Sequence, residues 1–294
     1  MKTNQTVTSD KWQVTRPVLR SAFTLVEVMV VMSLLSFIVI ALMGVFSSTQ
    51  TAFRASITQT DVLESGRAAM NLITGDLREM SPSPGTDFGT VNFHVGAYGN
   101  APLVQPLVAS SGSRTNIQQD LFILSRGNLN GVPTWYGTGY AVLLTPSNTY
   151  SLYRFTTNHP VAQPGAAFNL FQTSFGNFLK APDNYSHLLD GVVDFRIRAF
   201  DVNGGPISSN RPNIFYTNTL PSQVWFYSNA IPASVEIEMA TLEDRTLQRA
   251  ESRPGDNAPF PNDARTLYLE KQAGNLHVFR QRVAIPNVDP AAYQ

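Results

Sequence analysis

The sequence predicts an α+β protein in which one long N-terminal helix precedes a head built on antiparallel β-sheet. Residues 22–46 are apolar apart from one threonine, one glutamate and two serines. Further on, residues 192–200 and 233–240 alternate apolar and polar side chains, as strands with one buried face do. We expect the helix to continue to Met80 and to pack on the sheet with its C-terminal half.

The composition narrows the classes of protein that the chain can belong to. Its 294 residues carry a formal net charge of zero and contain no cysteine. The lack of cysteine excludes a disulfide framework, a thiol nucleophile and a thiolate metal site. No run of lysine or arginine is present, so we expect no nucleic acid partner.

The apolar stretch has the length of a membrane-spanning helix. At about 1.5 Å per residue, positions 23–46 extend roughly 36 Å, whereas the hydrocarbon core of a bilayer is about 30 Å thick. Residues 1–21 carry four basic side chains and one acid, Asp10. By the positive-inside rule, this segment stays in the cytoplasm and the rest of the chain is exported.

Glu27 is the unexpected residue of this stretch. A carboxylate within a bilayer costs about 2.5–3.5 kcal/mol on insertion scales and marks a functional position. It stands four residues after Phe23, one helical turn away, near the positive end of the helix dipole.

The basic leader, the small residue Ala22 and the motif F-T-L-V-E from Phe23 resemble the N-terminal signature of type IV prepilins and type II secretion pseudopilins. The resemblance implies that a prepilin peptidase cleaves between Ala22 and Phe23 and that the new N-terminus, Phe23, is methylated. It assigns filament assembly to Glu27, whose carboxylate would neutralise the amine of Phe23 in its own chain or in a neighbouring subunit. The family nearly always has glycine before the cut, where this chain has Ala22.

The residues alone also allow a plain signal anchor, in which Glu27 reaches the lipid headgroups or is protonated. A secretory signal with a shorter apolar core and a cleavage site on its far side fits less well, because the small residue here lies on the near side.

The predicted helix becomes polar after residue 46 but keeps an apolar stripe. The stripe consists of Leu63, Met70, Ile73, Leu77 and Met80. The sequence S-P-S-P-G after Met80 ends the helix. The expected organisation is a cleaved leader at 1–22, a transmembrane and filament-core helix at 23–46, an amphipathic continuation at 47–80 and a β-rich head with long loops at 81–294.

Within the head, the pattern predicts strands and loops in turn. Expected loops are 85–114 and 160–182, and expected strands are 121–125, a hairpin of 140–145 with 150–156, the pair 192–200 and 233–240, and a closing hairpin of 265–270 with 276–285. If the strands at 192–200 and 233–240 are neighbours, Arg196 and Arg198 can face Glu236 and Glu238.

The segments L-L-D-G-V-V-D-F-R-I-R-A-F-D at 188–201, I-P-A-S-V-E-I-E-M at 231–239 and Y-S-L-Y-R-F at 150–155 are similar to those of the GspJ type of minor pseudopilin. A competing resemblance is to the Verru_Chthon cassette proteins, another group with prepilin-type N-termini. The resemblance to prepilins and pseudopilins implies a pilin-like structural subunit with the prepilin peptidase, other pseudopilins or pilins and the inner membrane as partners. The head would lie in the periplasm until the chain enters a periplasmic or surface filament.

No motif for catalysis or for a cofactor stands out, so we expect no enzyme, no catalytic residue, no metal ligand and no cofactor. The four histidines, His94, His159, His187 and His277, are scattered without metal-ligand spacing. Asp201 to Gly204 is interpreted as an Asx turn rather than a calcium loop. Two alternatives stay open: a minor type IV pilin of a surface or DNA-uptake system, and a membrane-anchored periplasmic domain that binds a ligand or catalyses a reaction.

Overall fold

In the part of the chain that the structure describes, one long N-terminal helix and three antiparallel sheets form an α+β protein, as predicted. It divides into two compact units, Met1–Ala55 and Ser56–Gln294. The computed structural model describes residues 24–84, 89–97, 103–106, 112–143, 150–219, 221–254, 264–272 and 274–293.

Five α-helices are present in the described residues: α1 (Leu25–Arg78), α2 (Ala166–Asn169), α3 (Gly176–Lys180), α4 (Asp244–Glu251) and α5 (Ala264–Glu270). A π-helical segment, Leu170–Phe175, joins α2 to α3. Two short 3-10 turns lie at Pro182–Asn184 and Pro290–Tyr293. The helices other than α1 are therefore short and belong to the second unit.

The same unit contains the strands, in three sheets. In chain order they are β1 (Val91–Gly96), β2 (Leu103–Pro106), β3 (Ser113–Asn116), β4 (Asp120–Leu129), β5 (Val132–Leu143), β6 (Ser151–Pro160), β7 (Ser186–Leu189), β8 (Val192–Phe200), β9 (Ile214–Thr217), β10 (Gln223–Tyr227), β11 (Ser234–Leu242) and β12 (Leu276–Ala284). The large sheet has the order β7-β6-β5-β4-β1-β10-β9, the second has β12-β11-β8, and β2 pairs with β3.

The large sheet is buried on both faces, and the alternation in β4 shows why. Leu121 and Ile123 belong to the main core, which also contains Phe195 and Ile237 of the three-stranded sheet. Phe122 belongs to a second core with aromatic side chains from the segment 166–180. Since successive side chains of a strand point to opposite faces, one strand supplies both cores.

The predicted apolar stripe of the helix is buried in the second unit. Met70, Ile73 and Leu77 are nearly inaccessible to solvent, as is Met80 just after α1. Leu63 is half-buried. The spacing of three and four residues places these side chains on one helix face.

The central strand predictions are confirmed. β8 covers residues 192–200 as expected, β11 starts one residue later than predicted, and the two pair antiparallel. The hairpin of β5 with β6 is also confirmed, with longer strands than predicted. Its expected turn, P-S-N-T, lies outside the described residues.

Two predictions for the later part of the head are wrong. Residues 166–180 form α2, the π-helical segment and α3 instead of a loop, because Phe171, Phe175 and Phe178 recur at a helical period and contact one another. Residues 264–270 form α5 instead of the first strand of a hairpin. The buried residues of α5 are Arg265 and Leu269, which lie four residues apart on one helix face. The true partner of β12 is β11.

The predicted loop at 85–114 also contains structure that the sequence analysis missed. β1 is an interior strand of the large sheet, between β4 and β10, and is buried throughout. β2 pairs with β3. The many glycine, proline and serine residues around these short strands conceal them, and β1, buried on both faces, has no alternation to read.

Candidate functional site

The first part of α1 offers an uncovered apolar surface. From Leu25 to Phe46 its large apolar side chains are between 46% and 77% exposed. Among the described residues, α1 is the one helix long and apolar enough to cross a membrane by length and composition. The prediction of a membrane-capable helix is therefore confirmed.

The two serine hydroxyls within this stretch are satisfied by the helix itself. The hydroxyl of Ser33 donates to the carbonyl of Val30 at 2.9 Å, and that of Ser36 donates to the carbonyl of Met32 at 2.9 Å. Such internal bonds are what a bilayer requires, since it supplies no hydrogen-bond partners.

Glu27 lies in the first turn of α1 and is exposed. Its backbone N–H donates to the hydroxyl of Thr24 at 3.3 Å, so Thr24 caps the helix. No described residue pairs with the carboxylate of Glu27. The predicted cleavage residues, Ala22 and Phe23, lie outside the described residues, so the structure places one of the three predicted site residues.

The C-terminal part of α1 carries a polar contact in addition to its buried stripe. Arg154 on β6 donates to both carboxylate oxygens of Asp76, at 3.0 and 3.1 Å. The hydroxyl of Tyr140 on β5 donates to the same carboxylate. One side chain of α1 is thus bound to two strands of the large sheet.

The electrostatics of this contact follow from its burial. Burial and the nearby charge of Asp76 together raise the pKa of Tyr140 above its ordinary value of 10. For Arg154, burial lowers the pKa, but the hydrogen bond and charge of Asp76 outweigh it and raise the pKa overall. Both groups therefore keep their protons and act as donors to the carboxylate of Asp76.

Gly66 of α1 is in close contact with the ring of Phe279. A Cβ atom at this position would overlap the ring of Phe279 on β12. The aromatic ring therefore lies directly against the helix backbone, which only glycine permits.

The outer face of the three-stranded sheet is a network of ion pairs. Arg198 donates to Glu236 at 2.9 Å, as predicted, and Arg280 contacts both oxygens of Glu236 at 2.9 and 3.0 Å. Arg196 lies opposite Glu238 in the strand register, as predicted, but Glu238 forms its ion pair with Arg114, at 3.4 Å. Arg196 lies 3.6 Å from Asp194, which belongs to its own strand.

Asp201, the acid of the turn with possible calcium-binding chemistry, is explained by its local contacts. Asp201 accepts backbone N–H bonds from Asn203 at 3.0 Å and Gly205 at 2.9 Å, and a bond from Arg211 at 2.9 Å, which supports the Asx-turn interpretation. Within the described residues, no group of three or more histidine or acidic side chains could hold a metal ion.

One pocket of the second unit has a volume of about 390 Å³ and includes Asp61, His187, Asp190 and Asp244 in its lining. Ser151 donates to Oδ1 of Asp190 at 2.5 Å, and His187 contacts the same oxygen at 2.8 Å. The serine thus contacts the carboxylate and not the histidine, which differs from the order of a nucleophile triad.

The sequence analysis missed the contact of Asp76 with Tyr140 and Arg154. One signal was available: Asp76 lies three residues after Ile73 and one before Leu77, at the edge of the predicted apolar stripe. Its two partners could not be found in the same way, because they are 64 and 78 residues away in sequence.

No family model, no curated protein and no solved structure matches the chain. The resemblance to prepilins rests on the residues of the N-terminal motif and stays a prediction. Of these residues, Thr24 to Glu27 are described, at the start of an exposed apolar helix.

Proposed function

We propose that the chain is a structural minor pseudopilin of a type II secretion-like system. A prepilin peptidase removes residues 1–22 at the inner membrane, and the N-terminus at Phe23 is methylated. The helix then leaves the membrane to join the tip of a periplasmic pseudopilus. The protein acts by packing against other subunits and carries out no reaction.

The observation that carries the proposal is the combination of Glu27 with the apolar surface that follows it. A surface of this length needs lipid or other apolar helices around it. Within lipid or a helical bundle, the exposed carboxylate of Glu27 requires a cation, and the amine created at Phe23 would supply one. Charge pairing and lateral packing would therefore set the axial position of each subunit.

The proposed pilin-like architecture has the C-terminal half of α1 packed on the sheet. Its support is the burial of Met70, Ile73 and Leu77 and the binding of Asp76 by Tyr140 and Arg154. These contacts would transmit the position of the helix to the head, so that assembly of the helices also arranges the heads.

The assembly role of Glu27 is tested by Glu27→Val, with Ser36→Val as the matched control. We expect both variants to enter the membrane fraction of cells that also express companion pseudopilins. Only the Glu27 variant should be missing from sheared filaments, because it lacks the carboxylate. Normal incorporation of Glu27→Val would contradict the charge-pairing proposal.

Pull-down with the wild-type chain distinguishes a secretion pseudopilus from a surface pilus. Recovery of secretion pseudopilins supports the proposal, whereas recovery of major type IV pilins supports a minor pilin. A chain that is membrane-bound but recovers neither is a membrane-anchored domain.

A further inference from the structure

β12 is an edge strand, and the atoms that face outward from its edge can be identified. The N–H of Ile285 donates to the carbonyl of Ala233 at 3.0 Å, and the N–H of Glu243 donates to that of Asn275 at 3.2 Å. Hydrogen-bonded pairs alternate along an antiparallel ladder. Odd-numbered residues of β12 therefore bond to β11, and the N–H and C=O groups of Val278, Arg280 and Arg282 point away from it.

This edge is the longest one left open in the described part of the chain. β12 has nine residues, whereas the edge strands of the large sheet, β7 and β9, have four each. The other edge of the small sheet is partly covered, because the N–H of Phe195 donates to Ile117 at 2.7 Å and its carbonyl accepts from Gln119 at 2.9 Å. No described strand pairs with the outer side of β12.

Two of the side chains along this edge, Arg280 and Arg282, are cationic. Arg280 is 57% exposed although it binds Glu236. Arg282 lies 3.7 Å above the ring of Phe200 and donates to Ser234 at 2.9 Å. No carboxylate of the described residues lies within ion-pair distance of Arg282, so its charge is available to a partner.

The surrounding face has the same sign. Five arginines and three carboxylates share it, which leaves a formal charge of +2. Its members are Arg114, Arg196, Arg198, Arg280 and Arg282 with Asp194, Glu236 and Glu238.

A second copy of the chain is a poor occupant for this edge. Full antiparallel pairing of two β12 strands would centre on Arg280 and place it opposite its own copy. Like charges directly opposite each other destabilise a strand pair. The same arginines would instead attract a strand with carboxylates at every second position.

We propose that the outer edge of β12 binds an extended acidic segment of a partner protein, which adds to the sheet as a fourth strand. Main-chain hydrogen bonds to Val278, Arg280 and Arg282 supply affinity, and carboxylates opposite Arg280 and Arg282 supply selectivity. This inference does not depend on the proposed function, because it uses only residues of the second unit.

The test measures binding of a fluorescent peptide of alternating threonine and glutamate to the full chain in nonionic detergent. Val278→Pro removes an outward N–H but no bond to β11, so the fold should be retained. We expect it to lower the affinity about fivefold, the effect of one lost hydrogen bond. Arg282→Glu should lower the affinity about tenfold by charge reversal, and Arg245→Glu, an exposed change on α4, should have no effect.

Several outcomes would overturn the proposal. These are absence of binding by the acidic peptide, equal binding of a threonine–lysine peptide, and unchanged affinity for Val278→Pro with an intact circular dichroism spectrum. Concentration-dependent dimerisation that Arg282→Glu abolishes would assign the edge to a second copy instead.

Discussion

Asp76 accepts hydrogen bonds from two side chains of the large sheet, Tyr140 and Arg154. The hydroxyl of Tyr140 and the guanidinium of Arg154 are both partly or fully buried, so loss of the carboxylate leaves two donors without their partner. An unsatisfied buried donor costs more than the bond itself contributes. Loss of the Asp76 carboxylate should therefore destabilise the protein more than loss of either donor.

We expect Asp76→Ala to lower the free energy of unfolding of the head by about 2–3 kcal/mol. Tyr140→Phe should cost about 1 kcal/mol, since it removes one donor and leaves the ion pair. Near-UV circular dichroism during urea unfolding of the detergent-solubilised chain measures both. Additive effects in the double variant would contradict a shared acceptor.

Glu236 has two arginine partners and a pKa that depends on both. Burial raises its pKa, but the hydrogen bonds from Arg280 and Arg198 outweigh burial and lower the pKa below the ordinary 4.5. A lowered pKa in the folded state means that the ionised group stabilises the fold above the unfolded pKa. That stabilisation is lost as the pH falls through the folded pKa.

Glu236→Gln should therefore reduce stability by about 1 kcal/mol at neutral pH, because exposed arginines are partly screened by solvent. The difference from wild type should shrink as the pH falls below 4.5. Urea unfolding across this range measures it. Glu79→Gln, an exposed change, is the control, and a difference for Glu236→Gln that grows in acid would refute the assignment.

At the scale of elements, replacement of glycine by alanine should have opposite effects at two positions of α1. Alanine favours an interior helix position by about 1 kcal/mol relative to glycine. At Gly75 nothing lies within 4 Å of a new Cβ, but at Gly66 the ring of Phe279 occupies its place. Gly75→Ala should therefore stabilise the head by up to about 1 kcal/mol, whereas Gly66→Ala should destabilise it by about 1–3 kcal/mol.

Thermal unfolding of the two variants gives the comparison directly. Phe279→Leu in the Gly66→Ala background should recover part of the loss, since it removes the ring that the methyl group overlaps. A stabilising Gly66→Ala would show that Phe279 does not lie against the helix backbone.

A strand with one buried face is easier to predict from the sequence than a strand that is buried on both faces. β8 and β11 alternate because one face is buried and the other carries Arg198 and Glu236. β1 is buried on both faces and gave no period. The hairpin of β4 and β5 had a local sequence signal that was overlooked, the pair Asn130-Gly131. In the structure these residues adopt φ of 51° and 83°, as a type I′ turn requires.

The same contrast applies to the candidate site. Glu27 was found because a lone acid in an apolar stretch is costly wherever the chain folds. The ion pair of Arg198 with Glu236 followed from matching two alternating strands, whereas Arg114 joined the same face from the separate β2–β3 sheet. Contacts between distant segments depend on the tertiary arrangement, which neither period nor composition encodes.

For the molecule as a whole, the chain combines a helix with an uncovered apolar half and a head with its own cores. The apolar half needs a bilayer or other helices, and the head has a surface rich in arginine. We propose that these parts serve successive tasks: insertion of the helix, removal of the leader between Ala22 and Phe23, and assembly through Glu27. Assembly depends on the removal of the leader, because cleavage creates the amine of Phe23 that would pair with Glu27.

The most direct test is the intact mass of the chain after expression with a prepilin peptidase. The account predicts a product that begins at Phe23 and carries one additional methyl group, and an unprocessed chain when an inactive peptidase is used. An exported product with any other N-terminus, or one that begins at Phe23 without the methyl group, would contradict it.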